Sequence, residues 1–507
     1  MIHRGVDITG PVKEYADVCI IGSGCGGGAC AKVLAEAGRR VIVLEEGGYF
    51  TPADFSEGIE QPAYLRLYQG RGGQATDDLS VTVLQGKCVG GSSTVNWMTS
   101  LRIPEFVLDI WAGWHGVQGM RARELEPYFE RIERYLNVHP EPEENHSPNN
   151  RIILEGAKAL GYRVGWNGRN ARGCVKAGAC GLGCPFDAKL SVDRTYLPDA
   201  FRAGAHLFAD CRAEKIEMHG SLKRVEGLVL DPSGQAKTTI SVESPVVIVA
   251  ASAIRSPVLL LKSGLANASG MVGKNLTFHL TSAVMGRYDR VIYGAGGIPQ
   301  SAYCDEFLNR NGDGGGFWIE SVPIYPVLAA LAMPGFGPAH REMMRLYQSI
   351  GALIVLVKEI DSAGEVTVNA QGRPSISYRA GPRDEASMRQ GLKEGARIHF
   401  AAGAREVTTL HARQILMHSP REIDRLLDRA EFGPNRLALY SAHPLGTCRM
   451  GGNRLRSVVD SHCEAHDCRG LFVIDGSVMP TSLGVNPQMT ILAIAEKSAE
   501  WVAENRR

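Results

Sequence analysis

The first fifty positions of the chain divide into apolar, helical and again apolar segments. ADVCIIGSG (16–24) is a short apolar run that leads into glycines, CGGGACAKVLAEAG (25–38) has helix-forming residues, and RRVIVLEEGG (39–48) carries a continuous VIVL run. Unbroken apolar runs of this length are typical of strands buried on both faces of a parallel sheet. The pattern predicts a strand–helix–strand unit and therefore an α/β fold.

The turn of this unit is rich in glycine. Its spacing is Gly22-x-Gly24-x-x-Gly27, and Glu45 closes the second strand. Such glycines let the backbone approach a pyrophosphate at the helix N-terminus, where free N–H groups and the helix dipole favour negative charge. An acid at the end of the second strand suits a ribose diol. We predict a Rossmann-type dinucleotide-binding domain, and the motif alone leaves NAD and FAD open.

Further along the chain the apolar period changes. VVIVAASAIRSP (246–257) predicts a buried strand followed by a turn, and GEVTVNAQGRPSISY (364–378) alternates like two antiparallel strands joined at Gln371-Gly372. DEASMRQGLKEGARIHFAAGA (384–404) predicts an amphipathic helix behind an Asp cap. The chain therefore combines a parallel sheet with a second, antiparallel one.

Length and composition narrow the class of protein. A chain of 507 residues is long enough for two domains, and its net charge of +1 provides no electrostatic footprint for nucleic acid. The N-terminal segment has no apolar core of a signal peptide, and no apolar stretch is long enough to span a bilayer. Twelve cysteines without a secretion signal indicate reduced thiols or ligands. We expect a soluble cytoplasmic protein.

Four motifs outside the first fifty residues carry a family resemblance. They are GKCVGGSSTVNWM (86–98), SAIRSPVLLLKSGLA (252–266), YSAHPLGTCRMGG (440–452) and GVNPQM (484–489). Together with the N-terminal glycine turn they resemble the glucose–methanol–choline (GMC) family of FAD oxidoreductases. The second motif usually ends in Ser-Gly-Ile-Gly in that family, whereas this chain has Ser-Gly-Leu-Ala.

The resemblance implies an architecture assembled from separated segments. The Rossmann-type FAD-binding domain would comprise residues 1–120, 186–290 and 430–507. An α+β substrate domain with an antiparallel sheet would comprise residues 121–185 and 291–429. It also implies an enzyme that oxidises the CH–OH group of an alcohol by hydride transfer to N5 of the flavin.

The resemblance identifies the catalytic residues as His443 and Asn486. His443 is the expected general base, because an imidazole titrates near working pH. Asn486 takes no proton at that pH and would orient the substrate oxygen by hydrogen bonding. Because they are 43 positions apart in the sequence, only folding can bring the pair together.

Further positions match the family's cofactor-binding residues. The helix that begins near Gln488 would point its positive end at the flavin. Some relatives attach FAD through a histidine in the second glycine-rich stretch, which is residues 86–98 here. This chain has Val95 at that place, so we expect non-covalent FAD. The predicted cofactor-binding residues, besides Gly22, Gly24, Gly27 and Glu45, are Gly90, Gly91, Asn96, Met98, Ala213, Asp475, Gly476, Pro487 and Met489.

Three cysteines stand among small residues in GCVKAGACGLGCP (173–185). The spacing of Cys174, Cys180 and Cys184 resembles the cluster segment of the iron–sulfur GMC glucose dehydrogenases of bacteria. It implies a three-iron four-sulfur cluster that relays electrons from the flavin, since three thiolates satisfy such a cluster. Zinc, which would need a fourth ligand, and three reduced thiols on a flexible loop are the alternatives.

The substrate and the electron acceptor remain open at this stage. The Gly-Cys-Pro-x-x-Ala-Lys-x-Ser pattern (183–191) is similar to the long-chain-alcohol oxidase branch, and sterol oxidases share the layout. We expect a long-chain or bulky apolar alcohol, with a cytochrome, a quinone or oxygen as acceptor. The alternatives are an oxygen-using alcohol oxidase without a cluster, a lyase or photodecarboxylase of the same fold, an NAD-linked dehydrogenase and a non-enzymatic flavin-binding module.

Overall fold

The computed structural model of the chain describes residues 1–56 and 58–506. Its α-helices are, in chain order, α1 Cys25–Glu36, α2 Glu60–Leu67, α3 Ser92–Val95, α4 Glu105–Trp114, α5 Ala122–Tyr135, α6 Pro148–Ala159, α7 Tyr196–Arg202, α8 Ser252–Ser263, α9 Pro326–Ala332, α10 Gly337–Arg345, α11 Pro382–Ala401, α12 Ile423–Leu427 and α13 Gln488–Asn505.

The strands outnumber the helices and most of them are short. They are, in chain order, β1 Ile2–His3, β2 Val12–Tyr15, β3 Val18–Ile21, β4 Val41–Leu44, β5 Val81–Val83, β6 Val138–Pro140, β7 Val164–Trp166, β8 Gly168–Asn170, β9 His206–Phe208, β10 Cys211–His219, β11 Leu222–Leu230, β12 Ala236–Ser244, β13 Val246–Val249, β14 Lys274–Leu276, β15 Thr281–Arg287, β16 Ala302–Cys304, β17 Phe317–Ser321, β18 Ile350–Val357, β19 Ala363–Val368, β20 Pro374–Arg379, β21 Glu406–Thr409, β22 Leu416–Met417, β23 Leu439–Ser441 and β24 Leu471–Val473.

A six-stranded parallel sheet holds the predicted strand–helix–strand unit. Its order is β1-β9-β4-β3-β13-β24, so strands from both ends of the chain and from its middle lie side by side. Every residue of β3, β4 and β13 is buried, as the unbroken apolar runs predicted. The helices α7 and α13 pack against α1 on this sheet. The predicted Rossmann-type fold is confirmed.

A second, nine-stranded sheet is largely antiparallel. Its main path is β22-β21-β15-β18-β17-β16-β7, with β23 joined to β15 and β5 joined to β23. The helix α11 covers one face of β15 and β18. The strand β15 lies in this sheet although it precedes the expected boundary at residue 290, and the domain boundaries stay a prediction.

The local sequence predictions have mixed outcomes. The strands β19 and β20 pair antiparallel around Gln371-Gly372, as the alternation predicted. The helix α11 is also present, but it begins at Pro382 after Gly381, and Asp384 lies inside its first turn. The carboxylate of Asp384 accepts from the N–H groups of Ile360, Asp361 and Ser362, so it fixes a neighbouring loop and does not cap its own helix. Within the described residues, no helix has the length and apolar character needed to cross a membrane.

Candidate active site

A cavity of about 710 Å³ extends between the two sheets. On one side it reaches the carboxyl ends of β3, β4 and β13, where Ile21, Leu44 and Ala250 line it. The crevice at the carboxyl ends of parallel strands is the common ligand site of open α/β sheets. On the other side it reaches β15 and β18 of the nine-stranded sheet.

The N-terminal glycine turn forms one end of this cavity. Gly24 is the residue before α1, and the side-chain-free turn leaves the first N–H groups of that helix facing the cavity. A Cβ atom on Gly26 would lie 1.8 Å from the carbonyl oxygen of Ile474, so glycine is required for α1 to approach the end of β24. A Cβ atom on Gly91 would lie 2.9 Å from Cα of Gly24, which places the two glycine-rich stretches in contact.

Glu45 lies at the end of β4, as predicted, and is buried. Its carboxylate accepts from the N–H group of Ser23 at 2.9 Å, from Oγ of Ser23 at 2.7 Å and from the N–H group of Gly47 at 2.8 Å. Burial raises the pKa of this carboxyl against those hydrogen bonds. Glu45 thus holds the glycine turn in place and lines the cavity, and its contact with a ribose stays a prediction.

The second glycine stretch reaches the cavity only in part. Gly91, Val95 and Asn96 line it, whereas Gly90 and Met98 do not. Gly90 donates its N–H to Oγ of Ser23, and buried Met98 lies beside the three cysteines. The side chain of Val95 has no nitrogen atom to which a flavin could be attached.

The predicted positions near the C-terminus fall into two groups. Asp475, Gly476 and Pro487 line the cavity, whereas Met489 is buried in the core. Of the remaining predicted positions, Ala213 lines the cavity, next to a register shift in β10, and Gly22 and Gly24 line it too. Gly27 supports helix packing, because its Cβ would lie 1.9 Å from the carbonyl oxygen of Gly22.

His443 and Asn486 both line the cavity. His443 follows β23, and Asn486 lies two residues before the start of α13. Asn486 is buried and His443 is half-buried, and desolvation of the His443 ring lowers its pKa to about 4. The Oδ1 atom of Asn486 is buried and has no hydrogen-bond partner among the described residues.

A second histidine, which the sequence interpretation missed, contacts the first. The Nδ1 atom of His279 lies 3.2 Å from Nδ1 of His443, and the two rings meet edge to face. The Nε2 atom of His279 accepts from the N–H groups of Leu483 and Gly484 at 2.8 and 2.9 Å. Burial lowers the pKa of His279 well below its usual value, and His443 and Lys358 lower it further. Because 164 residues separate the two histidines, no local spacing could reveal the pair.

A buried carboxyl group also lies beside Asn486. Glu320 on β17 accepts from Nε2 of Gln300 at 2.9 Å and from Nδ2 of Asn167 at 3.3 Å. Burial raises the pKa of Glu320 to about 8, and the neighbouring side chains of Asn167, Asn486 and Trp318 oppose that shift. The sequence FWIES of this fully buried strand does not mark its one acid as part of a site.

The cavity has the polar groups that an FAD molecule needs. Nε2 of Gln488 and Nε1 of Trp97 are buried without a partner in the described part of the chain, and both residues line the cavity. The helix α13 begins here without a side-chain cap, so its first N–H groups and its positive dipole end are free for a ligand. The glycine turn and Glu45 would hold the nucleotide half of FAD, and Asn96, Gln488 and the start of α13 would hold the flavin half.

The three cysteines lie together on the wall of a second, small pocket. Cys180 is buried in the 3₁₀ turn Ala179–Leu182, and Nη2 of Arg169 lies 3.9 Å from its sulfur. Lys189 donates from Nζ to the carbonyl oxygens of Thr94, Asn96 and Cys180. In residues 1–56 and 58–506, no group of three or more His, Cys, Asp or Glu side chains could hold a metal ion.

The small residues of this segment have a packing role. A Cβ atom on Gly181 would lie 2.8 Å from Nε1 of Trp97, a residue that lines the large cavity. The hydroxyl group of Tyr68 donates to the carbonyl oxygen of Gly181 at 2.6 Å. The glycines of the cysteine segment therefore allow close packing beneath the large cavity, whether or not a cluster binds.

Comparisons with known proteins agree with this geometry. Family models described as GMC oxidoreductase match residues 64–281 and 361–495, and an FAD binding domain model matches residues 17–61. Long-chain-alcohol oxidase FAO4B of Arabidopsis thaliana is 31% identical over 94% of this chain and 66% of its own length. An uncharacterized GMC-type oxidoreductase of Mycobacterium tuberculosis is 33% identical over 96% of this chain and 75% of its own length.

Solved structures show the same fold. Pyridoxine 4-oxidase from Mesorbium loti superposes with a TM-score of 0.72 at 20% identity, covering 97% of this chain and 100% of that one. Formate oxidase of Aspergillus oryzae RIB40 gives a TM-score of 0.70 at 17% identity, covering 98% and 99%. The glycine turn, the two-sheet cavity and the matched family models lead to one conclusion: the chain belongs to the GMC family and is an FAD-dependent oxidoreductase.

Proposed function

We propose that the chain oxidises the CH–OH group of a long-chain or bulky apolar alcohol to a carbonyl group. The observation that carries the proposal is that one cavity is lined by the glycine turn, by His443 and Asn486 and by an apolar wall. The plant relatives named long-chain-alcohol oxidases support a substrate of this class.

The apolar wall is built from two strands and one helix. Residues 352, 354 and 356 of β18 face the same side because side chains alternate along a strand. The wall consists of Ala283, Met285, Leu328, Ala329, Ala332, Ala352, Ile354 and Leu356. Burying a hydrocarbon chain against such a surface gains about 0.8 kcal/mol per CH₂ group. A sugar or methanol would leave this surface without a partner.

His443 and Asn486 would bind the hydroxyl group of the substrate between this wall and the cofactor. When bound, FAD supplies the acceptor for the hydride that leaves the alcohol carbon. The chain's own contribution is to hold the substrate oxygen by hydrogen bonds and to place the positive end of α13 near the flavin. The valine at position 95 supports non-covalent FAD.

Oxygen is the electron acceptor that we propose, because the plant relatives are named oxidases. The iron–sulfur relay predicted from Cys174, Cys180 and Cys184 has no support among the described residues. It remains the alternative, together with a cytochrome or quinone as acceptor. Iron and acid-labile sulfide analysis of anaerobically purified protein separates the two: less than one iron per chain and peroxide formation match the oxidase, whereas about three irons per chain match the relay.

The substrate proposal is tested by anaerobic bleaching of the bound flavin. We expect primary alcohols of increasing chain length to reduce the flavin at rates that rise with length, and methanol and glucose to leave it oxidised. Failure of every apolar alcohol to bleach the flavin would refute the proposed function. It would favour a redox-neutral or light-driven reaction.

A further inference from the structure

The hydrogen bonds of His279 fix the position of its proton. Its Nε2 atom accepts from two backbone N–H groups, those of Leu483 and Gly484, at 2.8 and 2.9 Å. A backbone N–H group can only donate, so Nε2 of His279 carries a lone pair and no proton. A neutral imidazole with a bare Nε2 has its proton on Nδ1.

That proton points at His443. The Nδ1 atoms of the two rings are 3.2 Å apart, so the proton on His279 is donated to Nδ1 of His443. The Nδ1 atom of His443 is then an acceptor, and its ring carries the proton on Nε2. If Nδ1 of His443 also carried a proton, two N–H donors would face each other with no acceptor between them.

The surroundings keep both rings neutral. Burial lowers the pKa of His443 to about 4, and it lowers the pKa of His279 still more strongly. The ammonium group of Lys358 adds positive charge near His279, and the carboxylate of Glu359 accepts from the backbone N–H group of His279 and does not contact its ring. A doubly protonated pair therefore has no counter-ion at either ring.

We infer that His279 is a positioning residue that holds His443 with its proton on Nε2, so that His443 donates a hydrogen bond to the substrate oxygen. The Nδ1 atom of His443 is occupied by His279, which leaves Nε2–H as its group for a ligand. The general base expected from the sequence would need a bare Nε2. In the complex with the alcohol, His443 therefore acts as a neutral donor to a substrate oxygen that still carries its own proton. The substrate oxygen in this inference rests on the proposed function.

The tautomer can be read in the resting holoenzyme without any substrate. Protein labelled with ¹⁵N at the histidine rings is measured by two-dimensional NMR, and the His443 signals are identified by their loss in His443→Gln. We expect a protonated Nε2 and an unprotonated Nδ1 for His443, and the reverse for His279. A bare Nε2 on His443 would overturn the inference, even if alcohols bleach the flavin.

A pair of substitutions tests the role during turnover. The side-chain amide of His443→Gln can donate from a position close to Nε2 but cannot act as a base. For a donor role we expect His443→Gln to retain at least about tenfold more kcat/KM than His443→Ala, since one such donor is worth about 10²–10³-fold. Equal loss in the two variants would identify His443 as the base and overturn the inference.

The variant His279→Gln distinguishes the role of His279 from that of His443. Its amide oxygen can still accept from Leu483 and Gly484, but the directed donor to His443 is lost. We expect unchanged FAD content, a His443 signal that shows both tautomers, and a lower kcat. An unchanged Nε2–H signal for His443 in this variant would show that His279 does not set the tautomer. Absence of alcohol turnover in the unmodified enzyme would instead refute the proposed function and leave the NMR result valid.

Discussion

The carboxylates beside the glycine turn and the amide groups at the start of α13 line the same cavity, but they differ in whether the chain itself satisfies them. At the glycine-lined end, the carboxylates of Glu45 and Asp475 accept from Ser23, Gly47, Ser252, Ser256 and Ser477. At the start of α13, Oδ1 of Asn486 and Nε2 of Gln488 have no partner among the described residues.

This difference indicates that the two parts of the cavity bind different parts of the ligands. Buried polar groups that bond to one another define a rigid shape, whereas buried groups without a partner cost free energy until a ligand meets them. We therefore expect the glycine-lined end to bind the nucleotide in a preformed shape. We expect the unpartnered amide groups at the start of α13 to bind the flavin and the substrate.

The largest effect is expected from a substitution of His443. The substitution His443→Ala should lower kcat/KM for a long-chain alcohol by about 10²–10³-fold, because it removes a hydrogen bond to the reacting oxygen. FAD content should be unchanged, since the glycine turn lies elsewhere. Steady-state kinetics and flavin absorbance measure the two quantities, and the exposed His219→Ala is the matched control. Loss of FAD together with activity would contradict the division between the two parts of the cavity.

The tightly packed glycine turn should not tolerate an added side chain. Gly26→Ala places a methyl group 1.8 Å from the carbonyl oxygen of Ile474, so we expect the free energy of unfolding to fall by at least about 1–3 kcal/mol and FAD to dissociate more readily. Gly113 in α4 is exposed and has open space around its Cβ position. Gly113→Ala should be neutral or stabilising. Equal thermal stability of the two variants would contradict the tight fit at Gly26.

The apolar wall should control chain length. Ala332→Phe fills part of the wall, so we expect kcat/KM for a long-chain alcohol to fall about tenfold while that of a short alcohol stays near its original value. The neighbouring Leu331 is 80% exposed, and Leu331→Ser is the matched control on the same helix. An equal fall for both alcohols in Ala332→Phe would show that the substrate chain lies elsewhere.

A separate effect concerns the dependence of stability on pH. The pKa of Glu320 is raised from its ordinary value of 4.5 to about 8, so between these values the folded protein holds a proton that the unfolded chain has released. The free energy of unfolding should therefore fall as pH rises through this window. Glu320→Gln should flatten that dependence, and the exposed Glu144→Gln should not. Chemical denaturation at several pH values between 4.5 and 8 measures the slopes.

The parallel-sheet end of the molecule could be predicted from the sequence because its signals are local. The VIVL and VVIV runs, the turn at Gly22 to Gly27 and the start of α13 at Gln488 each depend on a few consecutive residues. Four of the predicted cofactor positions, Gly27, Gly90, Met98 and Met489, do not line the cavity. A motif marks a segment near a ligand, but backbone direction decides which side chain faces it.

By itself, the sequence determined the α/β fold, the dinucleotide turn and the family, since each is set by residue type and spacing. Only the tertiary structure decided which groups meet His443 and Asn486. His279 contacts His443 across 164 positions, and the side chain of Glu320 reaches Asn486 from a strand of the other sheet. Such contacts depend on how two sheets pack, and packing joins positions whose separation along the chain has no fixed relation to their chemistry.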